Sequence, residues 1–213
     1  MKKISFLFLL AAVLPLFILV SCKEDTTVKI MSFNIRNVYA NDGENCWNNR
    51  CDATAAMLET IQPDVVGIQE VCPEHVEYLD STCTAYTGFS IGREDGKEQG
   101  ERVGIYYRAA DFELLDKGMF WLSETPDEPS TGWDGKYPRI AVWAQLRESG
   151  GKDFIVVNTH LDHRGVDARR NGLALIVDRL SGLKPGTPMV LLGDFNVLPD
   201  DECLLALEGK MTD

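Results

Sequence analysis

The feature that most constrains this chain is a series of short apolar segments, several of which end in a polar residue. Runs of about four to eight residues rich in valine, isoleucine, leucine and phenylalanine are typical of buried β-strands. Only a few segments with helical spacing lie between these runs, so we predict a chain made largely of strands. The predicted strands cover residues 28–35, 64–69, 102–108, 112–122, 140–146, 154–158 and 188–192.

Four segments are predicted to be helical. Apolar residues recur at helical spacing over residues 53–61. Pro63 ends this pattern because proline lacks the backbone donor that a continuing helix needs. Residues 173–180 place leucine, isoleucine and valine on one helical face, and shorter helices are predicted at residues 73–79 and 201–209.

The remaining stretches are predicted to be loops and turns. Residues 41–49 are rich in asparagine, aspartate and glycine, and residues 125–138 hold three of the nine prolines. A turn at residues 109–111 is short enough to pair the strands on either side of it. Many strands with few helices between them predict an α/β fold, a layered β-sandwich in which sheet packs on sheet and helices lie outside.

The first 21 residues are predicted to be a targeting segment rather than part of the domain. Lys2 and Lys3 precede an almost wholly apolar run over residues 4–20, which is the layout of a secretory signal peptide. A transmembrane anchor is the alternative, because this run reaches the lower length limit for a membrane span.

Residues 19–22 resemble a bacterial lipobox, which favours the signal peptide and predicts lipidation of Cys22. Residues 22–27 would then form a short tether that holds the domain at the membrane. We predict an outer-membrane lipoprotein of a bacterial cell envelope, and the basic-then-acidic residues 23–25 favour exposure at the cell surface.

The chain is acidic, with a formal net charge of −12. Without residues 1–21, which carry two lysines and no acidic residue, the charge is −14. Such a field repels polyanions, so a protein that coats nucleic acid non-specifically is excluded. A nuclease is still allowed, because a bound divalent cation supplies the missing positive charge.

Five cysteines follow Cys22 in a compartment predicted to be oxidising. The sequence separations allow two disulfides, with the last cysteine left over. A zinc site is the alternative, but the chain has no Cys-x-x-Cys pair with matching histidine spacing. The cysteines are Cys46 and Cys51, Cys72 and Cys83, and Cys203.

Polar side chains stand at the ends of several predicted strands. In layered α/β folds, sites form where strand ends meet, and carboxylate and amide oxygens suit a hard cation. Taken singly, each residue also fits an ordinary turn, surface or core position. The residues concerned are Asn34, Glu70, His160 with Asp162, and Asp194 with Asn196.

The order and flanks of these residues resemble the endonuclease/exonuclease/phosphatase superfamily, which includes pancreatic deoxyribonuclease, apurinic endonucleases and bacterial sphingomyelinases. The matching motifs are SFNIR at 32–36, GIQE at 67–70, NTHLDH at 158–163 and GDFN at 193–196. The resemblance covers about residues 28–213. It implies the deoxyribonuclease-like four-layer fold and a hydrolase of phosphoric esters.

The resemblance also implies a metal site and a water-activating group. Glu70 corresponds to the principal carboxylate ligand of Mg²⁺ or Mn²⁺, with Asn34 beside it. Asp194 corresponds to the carboxylate that aligns or deprotonates the attacking water, and Asn196 to a residue that holds that water or a phosphate oxygen. His160 corresponds to the histidine that contacts the scissile phosphate.

Three further residues receive roles from the same resemblance. Glu101 resembles the glutamate that orients this histidine in pancreatic deoxyribonuclease, and a surface position is its alternative. Arg139 and Asn158 are predicted to bind substrate. No role is assigned to Asp162 and His163.

Two later features of the superfamily, an Ile-Phe-containing strand and a closing Asp-His, do not occur before Asp213. We therefore expect residues 28–213 to be an incomplete domain that lacks its C-terminal strands, with little activity by itself.

The predicted function is a magnesium-dependent phosphoric ester hydrolase, most simply a phosphodiesterase acting on a phosphate-ester substrate at the cell envelope. A nuclease acting on external nucleic acid is one alternative, and Trp133 could then stack on a base or sugar. A non-catalytic surface binding protein, or an inactive fragment, is the other.

Overall fold

A computed structural model describes residues 27–211. Within that part of the chain, eight strands form two four-stranded sheets. The lipidation site predicted at Cys22 and the targeting segment lie outside the described residues. The strands are β1 (Ile30–Asn34), β2 (Val65–Val71), β3 (Tyr86–Gly92), β4 (Arg102–Arg108), β5 (Phe112–Trp121), β6 (Ile140–Glu148), β7 (Asp153–His160) and β8 (Met189–Asp194).

The two sheets share one arrangement of parallel and antiparallel strand pairs, although their strand orders differ. The first runs β1-β2-β4-β3 and the second runs β5-β6-β7-β8. In each sheet one pair is parallel, β1 with β2 and β7 with β8, and the other pairs are antiparallel. Parallel neighbours place their C-terminal ends at the same edge, which is where the candidate site lies.

Three α-helices cover the outer faces of the two sheets. Helices α1 (Trp47–Ile61) and α2 (Pro73–Thr82) pack on the first sheet, and α3 (Val166–Leu183) packs on the second. Short 3-10 helices occur at Gly43–Asn45 and Glu202–Leu207. The result is the predicted four-layer arrangement of helices, sheet, sheet and helix.

Apolar burial holds these layers together. One cluster fills the space between the sheets and includes Ile105, Ile140 and Val156, all with no exposed surface. A second joins the outer face of the second sheet to α3 through Leu173 and Ile176. The helical face predicted over residues 173–180 is confirmed by this packing.

The turn at residues 109–111 does not make the predicted hairpin. Strand β4 pairs with β2 and β3, while β5 pairs with β6, so the chain crosses from one sheet to the other at this turn. A strand at Tyr86–Gly92 was not predicted and takes the place beside β4. Its sequence, YTGFSIG, holds two glycines and few aliphatic residues, so it gives a weak apolar signal.

The loop predicted over residues 41–49 is shorter than expected. Helix α1 begins at Trp47, because Trp47 is buried and packs edge-on against His75 of α2, with ring centroids 4.3 Å apart. Tertiary packing of one tryptophan thus outweighs the local preference of the asparagines beside it.

Asn158 lies between the two sheets and has no exposed surface. Its Nδ2 donates to the carbonyl oxygens of Ile68 at 3.0 Å and Gly104 at 2.7 Å, and its Oδ1 accepts from Gln69 at 2.7 Å. Gly67 allows this close approach, since a Cβ there would lie 2.8 Å from Cγ of Asn158. The predicted substrate-binding role of Asn158 is therefore corrected to a structural one.

Candidate active site

The two parallel strand pairs bring four of the predicted site residues to one edge of the sandwich. Asn34 is the last residue of β1, and its register partner on β2 is Gln69, the residue before Glu70. On the second sheet, His160 at the end of β7 is the register partner of Asp194 at the end of β8. All four lie at C-terminal strand ends, as the sequence predicts. The site is therefore assembled from both sheets.

Asn34 connects the two sheets directly. Its Nδ2 donates to Oε1 of Glu70 and to Oδ2 of Asp194, each at 2.9 Å. Its Oδ1 accepts from the backbone N–H of Arg36 at 2.9 Å, which fixes the orientation of the amide. Asn34 therefore faces both carboxylates with its NH₂ group. In this arrangement Asn34 positions the two carboxylates through its NH₂ group, and the ligand role assigned to Asn34 from the sequence stays a prediction.

The backbone around Glu70 adopts a conformation that aims its carboxylate into the site. Glu70 has φ +59°, and the register of β2 against β4 shifts between Ile68 and Val71. Non-glycine residues with positive φ are uncommon and store strain, which is often found at functional sites. Oε2 of Glu70 accepts from the backbone N–H of Asn37 at 2.8 Å, so both carboxylate oxygens are held.

Asp194 is fixed by the turn that follows it. Its Oδ1 accepts from the backbone N–H of Asn196 at 3.0 Å, and Asn196 has φ +54°. The side chain of Asn196 donates to the carbonyl of Leu161 at 2.9 Å, which leaves its Oδ1 for another partner. Gly193 permits this geometry, since a Cβ would lie 2.3 Å from the carbonyl oxygen of Thr159.

His160 lies beside Asp194, with Nε2 at 3.9 Å from Oδ2. Burial lowers the pKa of His160, and the nearby guanidinium of Arg139 lowers it further, against the attraction of Asp194. The ring is therefore largely neutral at pH 7, because its pKa lies below the ordinary value of about 6.5. A neutral imidazole in this position can donate or accept a hydrogen bond without carrying a charge.

Arg139 bonds the backbone of His160 and does not extend into the open part of the site. It is 6% exposed, its Nη1 donates to the carbonyl of His160 at 3.3 Å, and its Nη2 lies 3.3 Å from Nδ1 of His163. Burial lowers the pKa of Arg139, as does the charge of Arg93. With its Nη atoms already engaged, Arg139 does not present the open fork predicted for substrate binding.

Glu101 makes different contacts from those the resemblance implies. Its Oε1 accepts from the side chain of Asn37 at 3.1 Å, and its Oε2 forms an ion pair with Arg93. Within residues 27–211 it makes no direct hydrogen bond to His160, although both line the same small cavity. Glu101 belongs to a network that links Arg93 to Asn37, and its role as the residue that orients His160 stays a prediction.

Asp162, to which the sequence assigns no role, organises the loop behind His160. It is 1% exposed and accepts four backbone hydrogen bonds, from Lys136, Tyr137, Arg164 and Gly165. Burial alone would raise the pKa of Asp162, but these donors and Arg139 outweigh it and hold the pKa well below its usual range. Asp162 therefore stays ionised and fixes the loop.

Several residues of the site network escaped the sequence analysis. Asn37 bonds both Glu70 and Glu101, and Arg93 lies over the ring of Tyr137 at 5.0 Å from its centroid. The contacts of Asn37 with Glu70 and Glu101 span 33 and 64 positions, and Arg93 and Tyr137 are 44 positions apart, so no local pattern marks these contacts. Arg36, next to Asn37, has φ +64°, and no feature of the sequence indicates this conformation.

The donor set at this edge suits a hard divalent cation. Within the described residues no group of three His, Cys, Asp or Glu side chains is arranged to hold a metal ion. Glu70 and Asp194 nevertheless converge on one amide, and carboxylate oxygens are the ligands that Mg²⁺ and Mn²⁺ prefer. The carboxylates of Glu70 and Asp194 are of the type that such an ion binds.

One cysteine contacts the backbone of this site, because Sγ of Cys72 lies 3.7 Å from the carbonyl oxygen of Glu70. The five cysteines within residues 27–211 are all free, so neither of the disulfides that the sequence separations allow is formed. Also within this part of the chain, no helix has the length and apolar character to cross a membrane.

A family model described as the Endonuclease/Exonuclease/phosphatase family matches residues 31–202. Among solved structures, an endonuclease/exonuclease/phosphatase family protein from Bacteroides thetaiotaomicron superposes with a TM-score of 0.83 at 35% identity, over 87% of this chain and 69% of that one. A mannosyl-6-phosphatase from the same species gives a TM-score of 0.83 at 34% identity, over 86% of this chain and 71% of that one.

A curated relative is Protein angel of Drosophila melanogaster, 28% identical over 176 residues, which are 78% of this chain and 48% of that protein. The chain spans about half the length of the curated relatives it matches.

Proposed function

The chain belongs to the Endonuclease/Exonuclease/phosphatase family, and we propose that the protein is a phosphoric ester hydrolase that acts at the joined strand ends of the two sheets. The observation that carries this proposal is the amide of Asn34, which bonds Glu70 and Asp194 at once. Two carboxylates held at a fixed separation beside a histidine suit the attack of water on phosphorus.

Family membership implies a divalent metal ion, and we assign Mg²⁺ or Mn²⁺ to Glu70 with Asp194 next to it. Such an ion neutralises the phosphate and stabilises charge on the leaving oxygen. The hydrogen bonds from Asn34 and Asn37 hold the Glu70 carboxylate in one orientation, so little entropy is lost when it binds a cation.

Asp194 is the group that aligns or deprotonates the attacking water in this proposal. Its carboxylate is fixed by Asn34 on one oxygen and by the backbone of Asn196 on the other. The neutral ring of His160, which lies beside Asp194, donates to a phosphate oxygen. In the reaction the oxygen of water bonds to phosphorus and its proton passes to Asp194, the ester P–O bond breaks, and the leaving oxygen takes up a proton from solvent.

The substrate is best sought among small phosphate esters. The mannosyl-6-phosphatase is named for a phosphatase activity, which favours a phosphomonoester of a sugar for this chain. The phosphodiester predicted from the sequence is the second choice. The net charge of −12 disfavours extended nucleic acid.

The proposal is tested by measuring hydrolysis with the purified full-length protein. The substrates are mannose phosphate, para-nitrophenyl phosphate, its bis-ester and supercoiled plasmid DNA, each with Mg²⁺ and with chelator. We expect metal-dependent release of phosphate or nitrophenol that falls by about a hundredfold or more in Glu70→Gln. Glu113→Gln, an exposed change on β5 away from the site, serves as the matched control.

Failure to hydrolyse any of these esters, with the protein folded and metal present, would overturn the proposal. Binding of phosphate without hydrolysis would then favour the non-catalytic binding protein that the sequence analysis raised.

Attachment to the membrane is a separate proposal, which rests on the lipobox-like residues 19–22. The lipid on Cys22 would hold the domain at the outer membrane of the cell envelope. Labelling with a fatty-acid analogue should modify the wild-type protein and not Cys22→Ser. Equal labelling of the two would contradict the anchor.

A further inference from the structure

Arg93 is a second guanidinium at the candidate site. It follows β3 and lines the same small cavity as Glu101, Arg139 and His160. Its side chain is 13% exposed, so it lies at the rim of the site rather than on the open surface. Its charge is close enough to act on Arg139, whose pKa is lowered first by burial and then by Arg93.

The guanidinium of Arg93 is held by two groups, and the backbone carbonyl of Arg93 is held by a third. Its Nη1 pairs with Oε2 of Glu101, its guanidinium lies 5.0 Å from the ring centroid of Tyr137, and its carbonyl accepts from Nε1 of Trp121 at 2.8 Å. Glu94 lies 3.6 Å from Nε, a distance too long for a strong hydrogen bond. An arginine fixed in this way loses little side-chain entropy when it binds an anion.

Arg93 also retains unused donors. Its Nε is buried without a hydrogen-bond partner, and Nη2 donates to no group among residues 27–211. Arg139, by contrast, already places its Nη atoms on His160 and His163. Within the described residues, Nε of Arg139 is buried without a hydrogen-bond partner as well, so the two guanidiniums differ at Nη2, which is free for a ligand in Arg93 alone.

Resting on the proposed hydrolase function, we infer that Arg93 binds the phosphoryl group of the substrate and selects dianionic phosphomonoesters over monoanionic phosphodiesters. Glu101 is paired with Arg93, while Glu70 and Asp194 lie on Asn34 at the same edge of the sandwich, and these carboxylates repel a dianion more strongly than a monoanion. A fixed guanidinium opposes that repulsion, and its effect grows with the charge of the ligand.

The test compares one monoester with one diester in the full-length protein. We expect Arg93→Gln to lower kcat/KM for para-nitrophenyl phosphate by about tenfold to a hundredfold and for the bis-ester by less than about threefold. Arg93→Lys should fall between these values, because lysine keeps the charge and loses the fork. Arg147→Gln, which removes an arginine paired with Asp153 at the far end of β6, is the charge-matched control.

The ratio of the two activities is the deciding quantity, since partial misfolding lowers both equally and leaves the ratio unchanged. An equal fall for both esters in Arg93→Gln, or a ratio like that of Arg147→Gln, would overturn the inference.

Calorimetric titration with inorganic phosphate at about pH 8, where phosphate is mostly dianionic, gives a second readout that does not depend on hydrolysis. We expect Arg93→Gln to weaken phosphate binding about tenfold or more, with Arg147→Gln unchanged. If phosphate binding weakens in Arg93→Gln but the wild-type protein hydrolyses no ester, the anion site is supported and the hydrolase function is rejected. Hydrolysis with unaltered phosphate binding in Arg93→Gln would reject only the role of Arg93.

Discussion

Asn34 donates a 2.9 Å hydrogen bond to Asp194, a residue 160 positions further along the chain. The same NH₂ group donates to Glu70 at the same distance. One neutral side chain thus separates two carboxylates that would otherwise repel each other, and it ties the first sheet to the second at the site. The alignment of the proposed metal ligand with the proposed water-activating group depends on this bridge.

Replacing Asn34 with alanine removes both hydrogen bonds and leaves the carboxylates to repel each other. Because each bond joins a donor to a charged group, we expect kcat/KM for a phosphate ester to fall by about tenfold to a hundredfold. Thermal unfolding should shift by only a few degrees. The measurement is steady-state kinetics beside Asn48→Ala, an exposed change in α1; activity within about twofold of wild type would contradict the bridging role.

Removing the side chain of Asn158 should affect stability rather than the site itself. In Asn158→Ala, the carbonyls of Ile68 and Gly104 and the amide of Gln69 lose their partner in a buried position. We expect a loss of about 3 kcal/mol or more in the free energy of unfolding, measured by urea denaturation. Asn49→Ala, at an exposed asparagine that bonds Glu44, should cost less than about 1 kcal/mol. A loss for Asn158→Ala equal to that of the control would show that the sheets are not joined in this way.

Because His75 is buried, we expect the free energy of unfolding to decrease on acidification. The side chain is fully buried, and its Nδ1 accepts from the backbone N–H of Cys72 at 3.0 Å. Burial lowers the pKa of His75 to about 4, and the charge of Arg50 adds to this effect. The unfolded chain binds the proton near its ordinary value of about 6.5, so the unfolded state holds more protons between these values.

The contribution of His75 is therefore fully present above about pH 6.5 and is lost as the pH falls towards 4. We expect it to amount to about 2 to 3 kcal/mol, seen as a steeper pH dependence of urea denaturation in wild type than in His75→Gln. Parallel curves for the two proteins between pH 7 and about pH 4 would refute this assignment.

Two glycines should respond to alanine in opposite directions. At Gly193, which has φ +156°, a Cβ would lie 2.3 Å from the carbonyl oxygen of Thr159, so β8 must move and take Asp194 with it. We expect Gly193→Ala to lower stability by about 2 kcal/mol and also to lower activity.

Gly182 lies in α3 with no atom within 4 Å of its Cβ position, so Gly182→Ala should add about 0.5 to 1 kcal/mol. Thermal unfolding measures both changes. A stable, fully active Gly193→Ala protein would contradict the packing of β7 on β8.

Local pattern predicts the outline of this fold well. The buried strand around Ile68 and the apolar face of α3 depend on periodicity, which the sequence carries directly. The proximity of Asn34 to Glu70, and of His160 to Asp194, follows from one rule, that parallel neighbours end at a common edge, and packing of the two sheets then brings the two pairs together.

The parts that sequence could not predict depend on contacts between distant residues. Nothing near residues 109–111 indicates that the chain changes sheets there, because that outcome is decided by pairing of β5 with β6. The donors on Glu101 come from Asn37, 64 positions away, and from Arg93. Similarly, Asn158 and Arg139 carry polar groups suited to a ligand, and only the packed structure shows that those groups are already bonded inside the protein.

The most direct test of the account is the fate of the water oxygen. The full-length protein is incubated with a phosphate ester and Mg²⁺ in ¹⁸O-labelled water, and both products are analysed by mass spectrometry. Attack of an aligned water on phosphorus predicts one labelled oxygen in the phosphate product, an unlabelled alcohol, and loss of the reaction in Asp194→Asn. Label in the alcohol, or full hydrolysis in Asp194→Asn, would contradict a water aligned by Asp194 for attack on phosphorus.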